Sequence, residues 1–211
     1  MIRAILIIIF CLSSCAYVEY GRLPSTIKTA LIGVDDFIID EEYFNSMEYS
    51  FIKVKTGKSG ISVFVLANVV GKKYKWVSAE GETLTTLNGK IVQLESDSFS
   101  FSFLDLNPIK RFFESSNNSE IASEYLLHLY TPKAFLVQQA TLQKKLTQDE
   151  ITLLGKVQQA DLYEESVITD SLSWNFSNKY WVDKNGMVLI SEQIVHPFLD
   201  KKIGIEFYYK Y

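Results

Sequence analysis

The chain has 211 residues, with 21 basic and 25 acidic side chains, a formal net charge of −4 and only two cysteines. This excludes the basic stripe that marks a nucleic-acid binder and a disulfide-framed miniature scaffold. The aromatic share is 14%, with 12 Tyr and 14 Phe, which favours strands over helices and predicts a β-rich body.

Arg3 supplies one positive charge, and Ala4 to Leu12 then form an apolar run of nine residues. A helix needs about 20 residues to cross a hydrocarbon core, so this is the layout of a cleaved secretory signal rather than a permanent span. Leu12, Ser13, Ser14 and Cys15 place a leucine three positions before a cysteine with small residues between, as at a bacterial lipoprotein cleavage site. We read residues 1–14 as the signal peptide, Cys15 as the lipid-bearing first residue of the mature chain with palmitate among its acyl groups, and 15–23 as a linker. Cleavage leaves 197 residues, with 20 basic against 25 acidic and one cysteine, so no internal disulfide can form. A lone lipidated thiol accounts for that count. Ala16 after the cysteine, rather than an aspartate, directs the expectation to the outer membrane.

Residues 24–211 are expected to form one β-rich domain. From Pro24 to Asp36, Ile27, Ala30, Leu31 and Val34 recur at spacings of three and four, which predicts an amphipathic helix. Tyr49 to Thr56 alternates, Gly57 to Gly60 marks a turn, and Ile61 to Val70 predicts a second strand. Gly71 to Lys73 turns into Tyr74 and Trp76, and Glu80, Gly81 and Glu82 make a corner before the strand Thr83 to Leu87. Asn88 and Gly89 are a hairpin signal, because both tolerate positive φ, and Lys90 to Leu94 follows as a strand. Asn107, Pro108 and the run Ser115 to Ser119 read as loops, around a short helical piece near Pro108 to Phe113. Lys133 to Lys145 fits either alternation or a helix, and strands are preferred because Val157 to Thr169 alternates. Ser173 to Phe176, Asn178 to Val182, Met187 to Ile194 and Ile203 to Tyr209 complete the set, with Asp183 to Gly186 as a turn. The fold class is mainly β: an antiparallel sheet that curls or closes, an open barrel-like sandwich, with an N-terminal helix and one or two short helices.

Chemistry-bearing patterns are sparse. His128 and His196 are isolated in sequence and read as structural, so no metal site is expected. No Gly-x-Ser-x-Gly elbow and no glycine-rich phosphate loop occurs, so neither a nucleophile nor a cofactor is expected. Asp35 with Asp36, Glu41 with Glu42, and Glu164 with Glu165 are paired carboxylates of the kind glycosidases use. Adjacent strand residues face opposite sides, however, and all three pairs read as solvated surface. Aromatic clusters at Tyr74 with Trp76, Trp174 with Phe176, Tyr180 with Trp181, and Phe207 to Tyr211 suit a β-core, and secondarily a glycan-binding face.

Two blocks carry a family resemblance. The first is Tyr74, Lys75, Trp76 and Val77 ahead of Gly81, then Leu84, Thr85, Thr86, Asn88, Gly89, Lys90, Ile91 and Val92. The second runs Asn178 to Asp183, then Gly186, Val188, Ser191, Glu192, Gln193, Ile194 and Pro197. With the lipobox, these resemble the YjbF/GfcB family of group 4 capsule and exopolysaccharide lipoproteins. Lys90 stands where the family pattern leads one to expect an arginine, and Leu94 to Ser102 replaces a glycine-rich stretch. The resemblance implies a periplasm-facing outer-membrane lipoprotein, not an enzyme, that assists polysaccharide assembly or export. Its implied partners are the membrane, through the lipid anchor, and a polysaccharide or capsule-export proteins, with no nucleic acid. Tyr74, Trp76, Tyr180 and Trp181 are the candidate glycan- or partner-binding residues, with a polysaccharide-modifying enzyme and a structural envelope lipoprotein as alternatives.

Overall fold

The computed structural model describes residues 37–57, 60–111, 113, 120–199 and 201–210. The predicted signal segment, Cys15, the predicted helix over 24–36, the Asp35 and Asp36 pair, the loop 115–119 and Tyr211 lie outside the described residues.

A short helix α1 (Glu41–Ser46) precedes β1 (Phe51–Thr56), β2 (Ile61–Val70), β3 (Lys73–Ser78), β4 (Thr83–Leu87), β5 (Lys90–Glu95) and β6 (Ser100–Phe103). A helical turn α2 (Asn107–Lys110) leads to β7 (Ile121–Thr131), β8 (Phe135–Leu153), β9 (Lys156–Ile168), β10 (Phe176–Val182), β11 (Val188–Gln193) and β12 (Ile203–Tyr208). Each strand pairs antiparallel with its neighbours in sequence. β1 pairs with β12 from Phe51↔Tyr208 to Thr56↔Ile203, so the sheet closes into a twelve-stranded barrel without a free edge. The fold is mainly β, as expected, and of the segment Lys133 to Lys145, Phe135 to Lys145 is strand within β8 while Lys133 and Ala134 belong to the bend before it.

The period-two rule sorts the side chains. β1 turns Ile52 and Val54 inward, while Lys53 faces outward and bonds Glu206 of β12 at 2.8 Å. Lys144 of β8 meets Glu164 of β9 on the outer surface at 3.5 Å. The wall thus carries ion pairs on its outer surface, where the lipid-facing band of a membrane-spanning barrel is apolar.

The end at which β1 begins is closed from inside. The β6–β7 connection sends Ile109 of α2 into the barrel, fully buried, and Phe113 edge-on against Tyr163 (4.8 Å) and Tyr180 (5.6 Å). Asn88 pins this plug by donating from Nδ2 to the Ile109 carbonyl at 2.9 Å. Outside the wall, β8 and β9 outlast their neighbours, and their hairpin lays Ile151, Leu153 and Ala160 over a second apolar cluster with Ile39, Phe51 and Tyr208. α1 joins that cluster through Tyr43 and Phe44; it is capped by Asp40, which accepts from the Tyr43 amide at 2.7 Å.

Three expectations are corrected. Ser173 to Asn175 is not strand: a 3-10 turn at Asp170–Leu172 is followed by Ser173 at φ 49, and β10 begins at Phe176. β6 and β7 fall where no strand was predicted. β7 hides its parity because Leu126 and Tyr130 are apolar on the outer face, as are Tyr125, Leu127 and Leu129 within. Glu165, read as solvated, is fully buried.

Asn88 (φ 49) and Gly89 (φ 72) form the β4–β5 turn, and a Cβ on Gly89 would lie 2.5 Å from Val188 Cγ2. Gly89→Ala therefore combines a disfavoured backbone with a clash in a buried place. It is expected to lower stability by about 1–3 kcal/mol in urea unfolding. His196 is buried, its Nδ1 accepting from the Phe198 amide at 3.2 Å. Burial, opposed by the nearby Thr131 backbone, lowers its pKa below the ordinary 6.5. Because the folded form disfavours the proton, stability should fall as pH drops through about 6.5. Urea midpoints measured across that range should lose this component in His196→Gln.

Candidate functional site

The four aromatic candidates part company. Trp76 and Tyr180 are fully buried inside the barrel, and Tyr74 stacks half-buried on Trp76 at 5.7 Å. Trp181, next to Tyr180 on β10, faces outward, where its Nε1 donates to Asp149 Oδ2 at 2.8 Å. That bond ties the projecting β8–β9 hairpin to the wall. Trp174 and Phe176 form a separate ring pair at 4.5 Å.

Residues of both resemblance blocks, Lys90 of the first and Asn178, Tyr180 and Gln193 of the second, meet Glu165 in a polar centre within the barrel. Lys90, the first residue of β5, and Glu165 of β9 pair at 2.5 Å, with side-chain exposures of 3% and 0%. Three strands separate β5 from β9 along the sheet, so the pair spans the lumen rather than one rung of the wall. The Lys90 ammonium also lies 5.3 Å from the Phe103 ring and 5.2 Å from the Tyr125 ring, where the faces of the aromatic π-systems attract a cation. The other carboxylate oxygen of Glu165 accepts from Asn178 Nδ2 and from the Tyr180 hydroxyl, both at 2.9 Å. Burial, and then the Glu165 carboxylate, pushes the Tyr180 phenol well above its ordinary pKa, so the hydroxyl stays protonated as a donor.

Gln193 extends the network. Its Oε1 accepts from the Ile91 amide at 2.9 Å, and its Nε2 donates to the Gly89 carbonyl at 2.8 Å and to Ser191 Oγ at 3.0 Å. Asn178 Oδ1 accepts from the Ile194 amide at 2.8 Å. Trp76 Nε1 donates to Thr86 Oγ1 at 3.0 Å. Residues about a hundred positions apart in the chain are thereby locked wall to wall.

The residual void at this centre, lined by Lys90, Gln139, Asn178 and Gln193 among others, measures about 10 Å³. That is room for about a single water molecule, and the groups around it bond one another across the lumen. Sequence reasoning missed Glu165, although Tyr163, Glu165 and Val167 share one strand face, and the apolar phase of that face pointed inward. The same parity placed Gln139 beside Val137. The histidines do not join the centre: His196 sits against Phe99 (5.1 Å), and His128 lies beside Tyr130 (4.1 Å).

A family model described as group 4 capsule polysaccharide lipoprotein gfcB, YjbF, matches residues 24–207. Among solved structures, the crystal structure of the hypothetical lipoprotein YmcC from Escherichia coli (K12) is similar with a TM-score of 0.70. The sequences are 15% identical, and the match covers 88% of this chain and 95% of that one, a likeness of fold. No curated protein matches the sequence.

Removing one member of the central ion pair should be costly. Lys90→Met leaves a buried carboxylate without its cation, and Glu165→Gln leaves a buried ammonium without its anion. Each is expected to cost about 3–5 kcal/mol in urea unfolding. The double variant should lose less than the worse single one, because the amide oxygen introduced by Glu165→Gln can still accept from Asn178 and Tyr180 while no unpaired charge remains. Additive losses would show that the two charges do not depend on each other.

Proposed function

The chain belongs to the YjbF family of group 4 capsule polysaccharide lipoproteins, and from that premise we propose a non-enzymatic accessory role in capsule or exopolysaccharide assembly and export. On this reading residues 1–14 are removed, Cys15 carries the lipid, 15–23 form the linker, and 24–211 work as one domain at the outer membrane, facing the periplasm.

The observation that carries the proposal is the closed centre of the barrel. Its one cross-lumen charge pair among the described ion pairs is spent on holding the walls together, and the space beside it is about 10 Å³. A scaffold with a closed centre acts through its surface and ends. Its outward ion pairs also leave the wall unsuited to lipid, so attachment to a membrane falls to an anchor outside the barrel. Of the four aromatic candidates, Trp181 and Tyr74 keep accessible surface, and these two are the ones proposed to touch a glycan or partner.

A deletion strain complemented with wild-type, Cys15→Ser or Trp181→Ala chains tests the reading. Surface polysaccharide should fall on deletion and return with the wild type. Cys15→Ser should neither fractionate with the outer membrane nor restore polysaccharide, and Trp181→Ala should restore it only in part. Polysaccharide unchanged by deletion, or hydrolysis of the polymer by purified protein, would overturn the proposal.

A further inference from the structure

We propose that the barrel mouth, at the end where β1 finishes and β12 begins, binds a partner-protein segment in which an apolar side chain is flanked by lysine or arginine. The inference rests on the accessory reading above and names the kind of partner.

The plug of Ile109 and Phe113 closes one end of the barrel, whereas the other end keeps a hollow of about 420 Å³. Val54, Phe64, Leu84 and Ile203 form its buried floor, and Leu94 and Leu199 are half-buried on its walls. A concave apolar space in the range of about 300–1,000 Å³ is of the size that takes an anchoring group. The hollow runs on, through the shared residues Ser62, Glu82 and Ser96, into an open trough of about 580 Å³ that also holds Glu80, Glu95 and Asp97.

Charge complementarity selects the occupant. Four carboxylates line the trough, while Lys202, next to Ile203 of the hollow, is paired with Glu192 at 3.4 Å. The trough therefore disfavours an acidic polysaccharide, a fatty-acid headgroup or a lipid phosphate and attracts a cation next to an apolar group. Glu95 is already oriented, accepting from Thr83 Oγ1 at 2.9 Å and Gln93 Nε2 at 2.8 Å. The groove joins two hollows around the rim, which suits an extended segment better than a compact small molecule. Because the closed barrel has no strand edge to offer, recognition must come from side chains: an apolar anchor in the mouth and basic neighbours over the trough.

The test is selection from a randomised library of labelled peptides, each with a central Leu, Phe or Trp between Lys or Arg. It is run on the full chain carrying Cys15→Ser, so that no detergent competes for the mouth. A second library with Asp or Glu flanks serves as the comparison. Basic peptides should be enriched, and their affinity should fall as salt is raised. Leu94→Trp, which fills the mouth, and Asp97→Lys, on an exposed turn, should each weaken the selected peptides roughly tenfold, with the urea midpoint of Asp97→Lys unchanged. If Leu94→Trp does not fold, Asp97→Lys carries the decision. Equal or stronger enrichment of the acidic library, tighter binding of an acidic oligosaccharide, displacement of peptide by a second copy of the chain, or binding indifferent to Asp97→Lys would each overturn the inference. Because the readout is binding to purified protein, its failure is distinct from an unchanged polysaccharide phenotype, which would fail the accessory reading instead.

Discussion

Twelve strands enclose more volume than aliphatic side chains projecting from the wall can fill. Small barrels of about eight strands are filled by their own inward residues, and wider ones leave a cavity or channel. Most of this molecule's unusual features answer that constraint. Trp76, Tyr125, Tyr180 and Phe101 are among its largest fully buried side chains, and all point inward. A loop contributes Ile109 and Phe113 from above, so the interior is completed by chain that is not part of the wall.

The remaining space is spanned electrostatically. An ammonium and a carboxylate taken out of water each lose several kcal/mol of hydration, which mutual attraction offsets only when the other donors and acceptors are satisfied. Here Asn178 and Tyr180 complete Glu165, and the rings of Phe103 and Tyr125 flank Lys90. An apolar pair could hold the same walls apart in many registers. A charge pair with directional hydrogen bonds accepts one, which ties the β4–β5 turn and the end of β11 together through Gln193 and joins both to Glu165 of β9 through Tyr180.

Much of this was legible in the sequence where one face was apolar and the other polar. β1 and β9 are legible from their alternation, and β4 and β5, which do not alternate, from the Asn88 and Gly89 turn that joins them. β7 was missed because the apolar residues on its outer face erase the alternation, and Ser173 to Asn175 was misread because Trp174 beside Phe176 suggests a strand and says nothing of a left-handed φ at Ser173. The central pair was half legible. Lys90 and Gln193 stood within the resemblance blocks, but their partner Glu165 lies outside them. A charged residue in the apolar phase of a strand looks like surface until its counter-ion is known, and that counter-ion is 75 positions away. The mouth was not legible, since its floor and rim come from strands and turns spread over about 150 residues.

The segment Ile39 with α1 lies across the outer face of the strands where the barrel closes, against Phe51 and Tyr208, and under the β8–β9 hairpin. It has a mechanical consequence. A pull on the chain ahead of residue 37 does not first reach the hydrogen bonds joining β1 to β12; it loads the apolar contacts of Ile39, Tyr43 and Phe44, and the Lys156 to Glu41 ion pair. These act as a strain relief, like the clamp on a cable where it enters a housing. Tension would be met by many side chains sliding together rather than by a seam opening one rung at a time.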